Sequence, residues 1–116
     1  MPPSKRDLAY LWDMLNACED IVSFIADLTF EEFAADRKTR SAVERQLLVI
    51  GEAAAHLSDA YKDDHPELPW KRIIGQRNVL AHEYGEVLVE RIWRVVKDNI
   101  PSLVESLKTE IPDTKQ

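Results

Sequence analysis

The helical spacing of its apolar residues is the feature that most restricts how this chain can fold. Apolar side chains recur every three or four residues over most of the 116 positions, which places them along one side of an α-helix. No stretch shows the strict alternation expected of a half-buried strand. Because helical stripes of this kind are buried by packing against one another, the pattern predicts an all-α, up-and-down bundle of four to five helices.

The first helix is predicted to begin after Ser4. Ser4 followed by Asp7 has the form of a capping box, in which the hydroxyl accepts from a backbone N–H and the carboxylate reaches back to the cap. About six turns of helix should follow. Their apolar stripe consists of Leu8, Leu11, Leu15, Cys18, Ile21 or Val22, Ile25 and Leu28.

Two further helices are predicted before the first proline-rich break. Thr29 and Glu32 repeat the capping pattern ahead of a short helix over residues 30–35, whose two Phe rings should cover one end of the core. A second long helix is expected to open at Arg37 and to continue to Tyr61. Its apolar face consists of Val43, Leu47, Ile50, Ala54, Leu57 and Tyr61.

Proline and glycine set the predicted limits of the remaining helices. The two prolines of residues 63–69 predict a loop, and Pro69 is expected as the first residue of the helix that follows. Gly85 should end or turn that helix. The last helix is predicted to start at about Val87, and Pro101 should kink it.

The length and composition predict one domain, residues 1–116, with a polar tail from about residue 112. No stretch approaches the run of about 18 apolar residues needed to span a membrane, and no signal-type apolar block follows the first residues, so we expect a cytoplasmic protein without membrane contact. Cys18 is the only cysteine, which excludes an internal disulfide and favours a role in the core. We expect no cofactor and no metal.

The net charge of −6 and the isoelectric point of about 5.0 argue against broad, charge-driven binding of nucleic acid. Any RNA contact would have to be local, in a concave site where Arg and His converge, within one subunit or between two.

Three polar residues of distinct chemistry, Arg77, His82 and Tyr84, lie within eight positions between Gly75 and Gly85. In an ideal helix, positions 77 and 82 are separated by five steps of about 100°, or about 140° around the axis, so they do not share a face. Two alternatives would let them converge. The helix could unwind near His82, or the two residues could meet across a two-fold axis that joins two subunits.

Taken one by one, these residues have ordinary structural interpretations. Arg77 could pair with a nearby Glu, His82 could sit at a helix C-terminus where a cation is favoured, and Tyr84 could pack. The combination of the three residues indicates more than these separate roles. Arg-x4-His-x-Tyr in a helical chain of this size resembles the signature of the HEPN superfamily, and in particular of its HepT toxins.

The resemblance covers nearly the whole chain. The segments that carry it, in order, are the long helix containing Trp12, Phe30-Glu31-Glu32-Phe33, Ala42-Val43-Glu44-Arg45, Ile50-Gly51-Glu52-Ala53-Ala54, His65-Pro66-Glu67-Leu68-Pro69-Trp70, Ile73-Ile74-Gly75 and Arg77-Asn78-Val79-Leu80-Ala81-His82-Glu83-Tyr84. The stretch Gly85-Glu86-Val87-Leu88 departs from it, since many relatives are more aromatic there and carry an Asp.

The resemblance implies an HEPN-like fold and a metal-independent endoribonuclease toxin of a type VII-like toxin–antitoxin system. Such a protein is a homodimer that places two Arg-His pairs in one cleft and cleaves RNA, either tRNA or mRNA. Arg77 and His82 are then the catalytic residues, with Asn78 in support. The implied antitoxin is a cognate minimal nucleotidyltransferase that transfers AMP onto the motif tyrosine, Tyr84.

Two other functions remain open from the sequence. One is a catalytically silent HEPN module that binds a nucleotidyltransferase partner or a nucleotide, and the other is a purely structural dimeric bundle. The remaining histidines indicate no second site: His56 is expected at the surface or in a groove, and His65 in a turn contact. Trp12, Trp70 and Trp93 are expected in core or dimer contacts rather than in base stacking.

Overall fold

The computed structural model describes residues 3–82 and 85–111, and at residues 77, 81, 82 and 86 it describes the backbone alone. Every regular element in these ranges is helical, which confirms the all-α prediction. The helices are α1 (Lys5–Ile25), α2 (Phe30–Ala35), α3 (Arg37–His56), α4 (Asp59–Asp64), α5 (Trp70–His82) and α6 (Gly85–Arg94), followed by a π-helical turn (Val95–Asn99) and α7 (Ile100–Glu110).

The core lies between four long helical segments. Helix α1 packs against both α3 and α7, and α3 packs against α5. The largest fully buried side chains are Leu11, Met14, Ile21, Phe33, Val43, Leu47, Ile92, Val96 and Leu107. Cys18 lies among them as predicted, and burial raises the pKa of its thiol to about 12, so the thiol stays protonated and apolar in character.

Only one of the two hydrogen bonds of the capping box predicted at the start of α1 is present. The Ser4 hydroxyl accepts a hydrogen bond from the backbone N–H of Asp7 at 3.0 Å. The Asp7 carboxylate, predicted to return to the cap, instead accepts from the backbone N–H of Ser58 at 2.9 Å and from the Ser58 hydroxyl at 2.7 Å. Because Ser58 follows α3, this pairing fixes α1 and α3 antiparallel and joins the start of one to the end of the other.

Ser58 also ends the second long helix earlier than predicted. Helix α3 stops at His56, and the Ser58 hydroxyl accepts from the backbone N–H of Tyr61 at 3.1 Å, which starts the separate helix α4. The prediction of one helix through Tyr61 was therefore wrong. The apolar spacing continues across the break because Leu57 and Tyr61 both remain buried.

Helix α2 forms over residues 30–35 as predicted, and its capping box is complete. The backbone N–H of Thr29 donates to the Glu32 carboxylate at 2.9 Å, and the backbone N–H of Glu32 donates to the Thr29 hydroxyl at 3.1 Å. Phe33 is fully buried with its ring 5.1 Å from that of Trp93, while half-buried Phe30 meets Trp93 edge-on at 6.0 Å. The two Phe rings thus dock α2 onto α6.

The C-terminal helical segment begins at Gly85 rather than at Val87, and Pro101 interrupts it as predicted. Proline has no N–H to donate to the carbonyl four residues earlier. The chain adjusts with a π-helical turn, in which the N–H of Ile100 donates to the carbonyl of Val95. At the other end of the bundle, α5 begins one residue later than predicted, at Trp70, and the Pro69 carbonyl accepts from the N–H of Ile73.

No helix among the described residues is long and apolar enough to cross a membrane. The polar tail predicted from about residue 112 lies outside the described residues.

The buried carboxylate of Asp7 gives the first testable prediction. Asp7→Ala should lower the free energy of unfolding at pH 7 by about 1–3 kcal/mol, because it leaves the Ser58 N–H without its acceptor. Urea unfolding measures this loss. Asp13→Ala is the matched control, since Asp13 is an exposed residue of α1 and carries the same change in helix propensity. Equal losses in both variants would contradict the prediction.

The same residue predicts a pH dependence. Burial acts to raise the pKa of Asp7, but the hydrogen bonds from Ser58 and Ser4 and the charge of Arg6 outweigh it, so the pKa lies below its ordinary value of 3.8. A lowered pKa in the folded state stabilises the fold above the ordinary value, and this contribution is lost as the pH falls through the folded pKa. The difference between wild type and Asp7→Ala should therefore shrink below about pH 4.

Candidate active site

Helix α5 carries the predicted catalytic residues, Arg77 and His82, and the supporting residue Asn78. It packs on α3, with Ile73 buried and Ile74 and Leu80 packed against the core. These contacts fix which side of α5 faces the rest of the chain. Asn78 is exposed.

The backbone of α5 remains helical through His82. Positions 77 and 82 therefore keep the angular separation of about 140° expected of a regular helix. Position 77 falls on the side of Ile73 and Leu80, at spacings of four and three residues. No unwinding precedes His82, so the backbone by itself does not bring the two positions onto one face.

The side of α5 that includes position 82 makes no close packing contact with the described core. Gly75 and Val79 share this side with position 82, at spacings of seven and three residues. A Cβ atom placed on Gly75 would have no described heavy atom within 4 Å outside its local backbone. Val79 is only partly buried and is not among the residues that pack against the core. A glycine inside a helix lowers the stability of the helix by about 1 kcal/mol relative to alanine. No described residue lies close enough to position 75 to require a glycine there.

Helix α6 begins three residues after His82 in the sequence. Gly85 opens α6 with φ of +63°, in the left-handed region that glycine adopts without steric cost. Tyr84, the predicted site of AMP transfer, lies outside the described residues, so its role stays a prediction.

A recess of about 480 Å³ lies where α6 begins. The described residues that line it are Phe30, Ala34, Arg40, Gly85, Val89 and Glu90, drawn from α2, α3 and α6. The sequence predictions did not include Arg40 or Glu90 in a site. The available signal was the run Arg37-Lys38-Thr39-Arg40, which places three cations within four residues of an acidic chain.

The start of α5 is tied to the end of α7 through His65. Its Nδ1 lies 3.1 Å from a Glu67 carboxylate oxygen, and its Nε2 lies 3.2 Å from one of Glu110. The Tyr61 hydroxyl also donates to Glu110 at 3.0 Å, and the Trp70 indole N–H donates to the His65 carbonyl at 2.9 Å. Burial and then the hydrogen bond to Glu110 raise the pKa of the Tyr61 phenol, which keeps it a donor. His65 therefore makes the turn contact predicted for it.

His56, the other histidine outside the motif, lies at the surface at the end of α3. Its Nδ1 is 2.8 Å from the Glu52 carbonyl, and its ring stacks on Tyr10 with 5.3 Å between centroids. In the described part of the chain, no group of three or more His, Cys, Asp or Glu residues is arranged to hold a metal ion.

Comparison with known proteins places these features in a family. The family described as "Ribonuclease HepT-like" matches residues 14–110. "Probable ribonuclease HepT" of Thermococcus cleftensis is 43% identical over 103 residues, which cover 89% of this chain and 92% of the relative. "Putative RNase MJ0127" of Methanocaldococcus jannaschii is 38% identical over 111 residues, which cover 96% of this chain and 92% of the relative.

No solved structure gives a significant match to the chain. The match of the family over residues 14–110 and the two relatives confirm the resemblance first indicated by the Arg77–Tyr84 segment. The chain therefore belongs to the HepT-like ribonuclease family.

Proposed function

We propose that this protein is a metal-independent endoribonuclease toxin, acting in the cytoplasm as a homodimer, and that Arg77 and His82 of both subunits form one RNA-cleaving cleft. The observation that carries the proposal is the regular course of α5 through His82. Since one helix holds positions 77 and 82 about 140° apart, a second subunit would supply the second His82, and the long Arg77 side chain would reach the cleft from the flank of α5.

The uncovered side of α5 supports this arrangement. Gly75 and Val79 lie on the same side as position 82 and are not packed against the described core. A two-fold axis next to this side would place the same side of the partner helix opposite it. The two His82 positions would then approach each other, and Gly75 would allow the two backbones to come close.

The proposed chemistry is cleavage of RNA through its own 2′-hydroxyl. The 2′-oxygen forms a bond to phosphorus as the bond from phosphorus to the 5′-oxygen breaks, which leaves a 2′,3′-cyclic phosphate and a 5′-hydroxyl. One group must take the proton of the 2′-hydroxyl and another must protonate the leaving 5′-oxygen. An imidazole can do either near neutral pH, so the His82 residues of the two subunits would serve as base and acid.

Arg77 would hold the reacting phosphate. A guanidinium donates two parallel hydrogen bonds to phosphate oxygens and stays charged at all relevant pH values. It would therefore stabilise the charge that develops on phosphorus as the bonds exchange. Asn78, exposed on the next position of α5, would hydrogen-bond to His82 or to the RNA. The proposed substrate is tRNA or mRNA.

We further propose that a minimal nucleotidyltransferase antitoxin inactivates the protein by transferring AMP onto Tyr84. Tyr84 directly precedes Gly85, the first residue of α6, and follows His82 by two residues in the sequence. An AMP group there adds a negative phosphate beside the proposed cleft, which would repel RNA and compete for Arg77.

The shared cleft predicts the behaviour of mixed dimers. A heterodimer of one wild-type and one His82→Ala subunit, isolated with two different tags, should cleave RNA at least about 100-fold more slowly than wild type, because one proton-transfer group is missing. A heterodimer with His56→Ala is the matched control and should stay fully active. Half of the wild-type rate in the His82→Ala heterodimer would reject the shared cleft. No cleavage by the wild-type protein would instead favour a catalytically silent module.

Modification of Tyr84 predicts a mass change that depends on a single hydroxyl. After incubation with ATP and the cognate nucleotidyltransferase, intact mass spectrometry should show AMP added to wild type and to Tyr10→Phe, but not to Tyr84→Phe. Addition of AMP to Tyr84→Phe at the wild-type level would contradict the assignment.

Replacement of Gly75 by alanine is expected to stabilise the subunit and to weaken the dimer. Gly75→Ala should raise the stability of the subunit by about 1 kcal/mol, since no described atom blocks the new methyl group. It should also weaken dimerisation, measured by sedimentation equilibrium, and lower cleavage in parallel. Asn16→Ala, at an exposed position of α1, is the control for helix propensity. Unchanged dimerisation in Gly75→Ala would show that the partner does not pack on this side of α5.

A further inference from the structure

The recess at the start of α6 has the size of a site for a small organic group. It is open to solvent and has a volume of about 480 Å³, within the range of roughly 300–1,000 Å³ usual for such sites. Gly85 lines it and lies three residues after His82, so at most about 10 Å of extended chain separates it from position 82. A ligand there would be close to the reacting phosphate without occupying its place.

Two opposite charges line the recess without neutralising each other. Arg40 and Glu90 both belong to its wall, and no ion pair joins them in the described structure. The Arg40 Nε donates to the Ala34 carbonyl at 3.0 Å, which fixes the plane of the guanidinium. Its terminal nitrogens have no hydrogen-bond partner among the described residues. A fixed guanidinium with its outer edge free is suited to a phosphate group.

Two more cations lie on the first turn of α3, and one of them is on the side of Arg40. Arg37 and Lys38 are exposed on the same first turn of α3. The neighbouring carboxylate of Asp36 accepts from the Thr39 N–H at 3.1 Å and from the Thr39 hydroxyl at 2.6 Å, so its hydrogen bonds are used within the helix cap. The turn therefore presents three cations in a chain whose net charge is −6. Arg37 lies about 60° from Arg40 around the helix axis and Lys38 about 160°, so Arg37 could hold the next phosphate of a single strand.

The rest of the wall is suited to a base. Phe30 is half-buried and braced edge-on by Trp93, and Val89 adds a second apolar surface. A flat base can stack on such a ring. The Glu90 carboxylate can accept hydrogen bonds but would repel a phosphate, so it favours the base on its own side and the phosphate on the side of Arg40. Guanine presents two adjacent N–H donors on its pairing edge, which match the two oxygens of a carboxylate.

We propose that this recess binds one nucleotide of the RNA strand next to the cleavage position, with its phosphate on Arg40, its base against Phe30 and a preference for guanine set by Glu90. The proposal rests on the proposed function for the identity of the ligand. It adds a binding site, outside the Arg77-His82 pair, that selects where an RNA is cut.

Binding of RNA by the full chain carrying His82→Ala tests the site separately from cleavage. Fluorescence anisotropy with a labelled single-stranded RNA containing one guanine gives the affinity at several salt concentrations. Adding Arg40→Gln should weaken binding at least about tenfold and reduce the slope of log K against log salt by about 0.7, the effect of one phosphate contact. Adding Ala34→Leu, which fills the recess without changing charge, should weaken binding to a similar extent and leave the slope unchanged.

Arg45→Gln is the matched control, because Arg45 is an exposed cation of α3 outside the recess and should change affinity less than threefold. Circular dichroism confirms that each variant keeps its helices. Equal losses of RNA affinity in Arg40→Gln and Arg45→Gln would show that the effect comes from overall charge, and would overturn the proposed site. Full affinity in Ala34→Leu would show that the recess stays empty, and would also overturn it.

The base preference is tested with a second RNA in which adenine replaces the guanine. The protein should bind the guanine RNA about tenfold more tightly, as expected for a matched pair of hydrogen bonds, and Glu90→Gln should remove most of this difference. Equal affinity for the two RNAs would reject the role of Glu90. RNA binding with these variant effects but without cleavage by the wild type would contradict the proposed function alone. Absence of RNA binding would overturn the nucleotide site.

Discussion

The hydrogen bonds between Asp7 and Ser58 fix the course of the whole chain. They close the start of α1 onto the end of α3, and they hold Ser58 as the cap of α4. The break at Ser58 turns the chain into the His65 loop, where Glu67 and Glu110 hold the imidazole and α5 begins. Without this break, α3 would continue past Leu57, and α5 would not pack against α3.

The sequence predicted the features that depend on neighbouring residues and missed those that depend on distant ones. The capping box of Thr29 and Glu32 and the interruption at Pro101 follow from local chemistry, and both were found. The pairing of Asp7 with Ser58 spans 51 residues, so a local rule assigned that carboxylate to its own cap. Leu57 and Tyr61 continue the apolar spacing across the break, and spacing alone therefore could not show that α3 had ended.

The residues of the candidate site likewise include some that the sequence predicted and some that it missed. The family signature drew attention to Arg77, His82 and Tyr84 because they are close in sequence, and the regular helix places positions 77 and 82 about 140° apart around its axis. Arg40 and Glu90 are 50 residues apart and line one recess, at which α2 packs onto α6 through Phe30, Phe33 and Trp93. No spacing rule joins such a pair. The cluster of cations at the start of α3 was visible in the sequence, but nothing there indicated which of them faced a recess.

The acidic composition changes how an RNA-cleaving site of this kind would have to work. A basic nuclease can attract any strand and leave selection to the reaction, whereas a chain of net charge −6 repels RNA over most of its surface. Binding then depends on a few fixed contacts close to the reacting phosphate, and a base held in a recess becomes as important as a cation. An inhibitor that adds one negative group near His82 would act on those same few contacts. A weak overall attraction for RNA would thus make the protein both selective and easy to switch off.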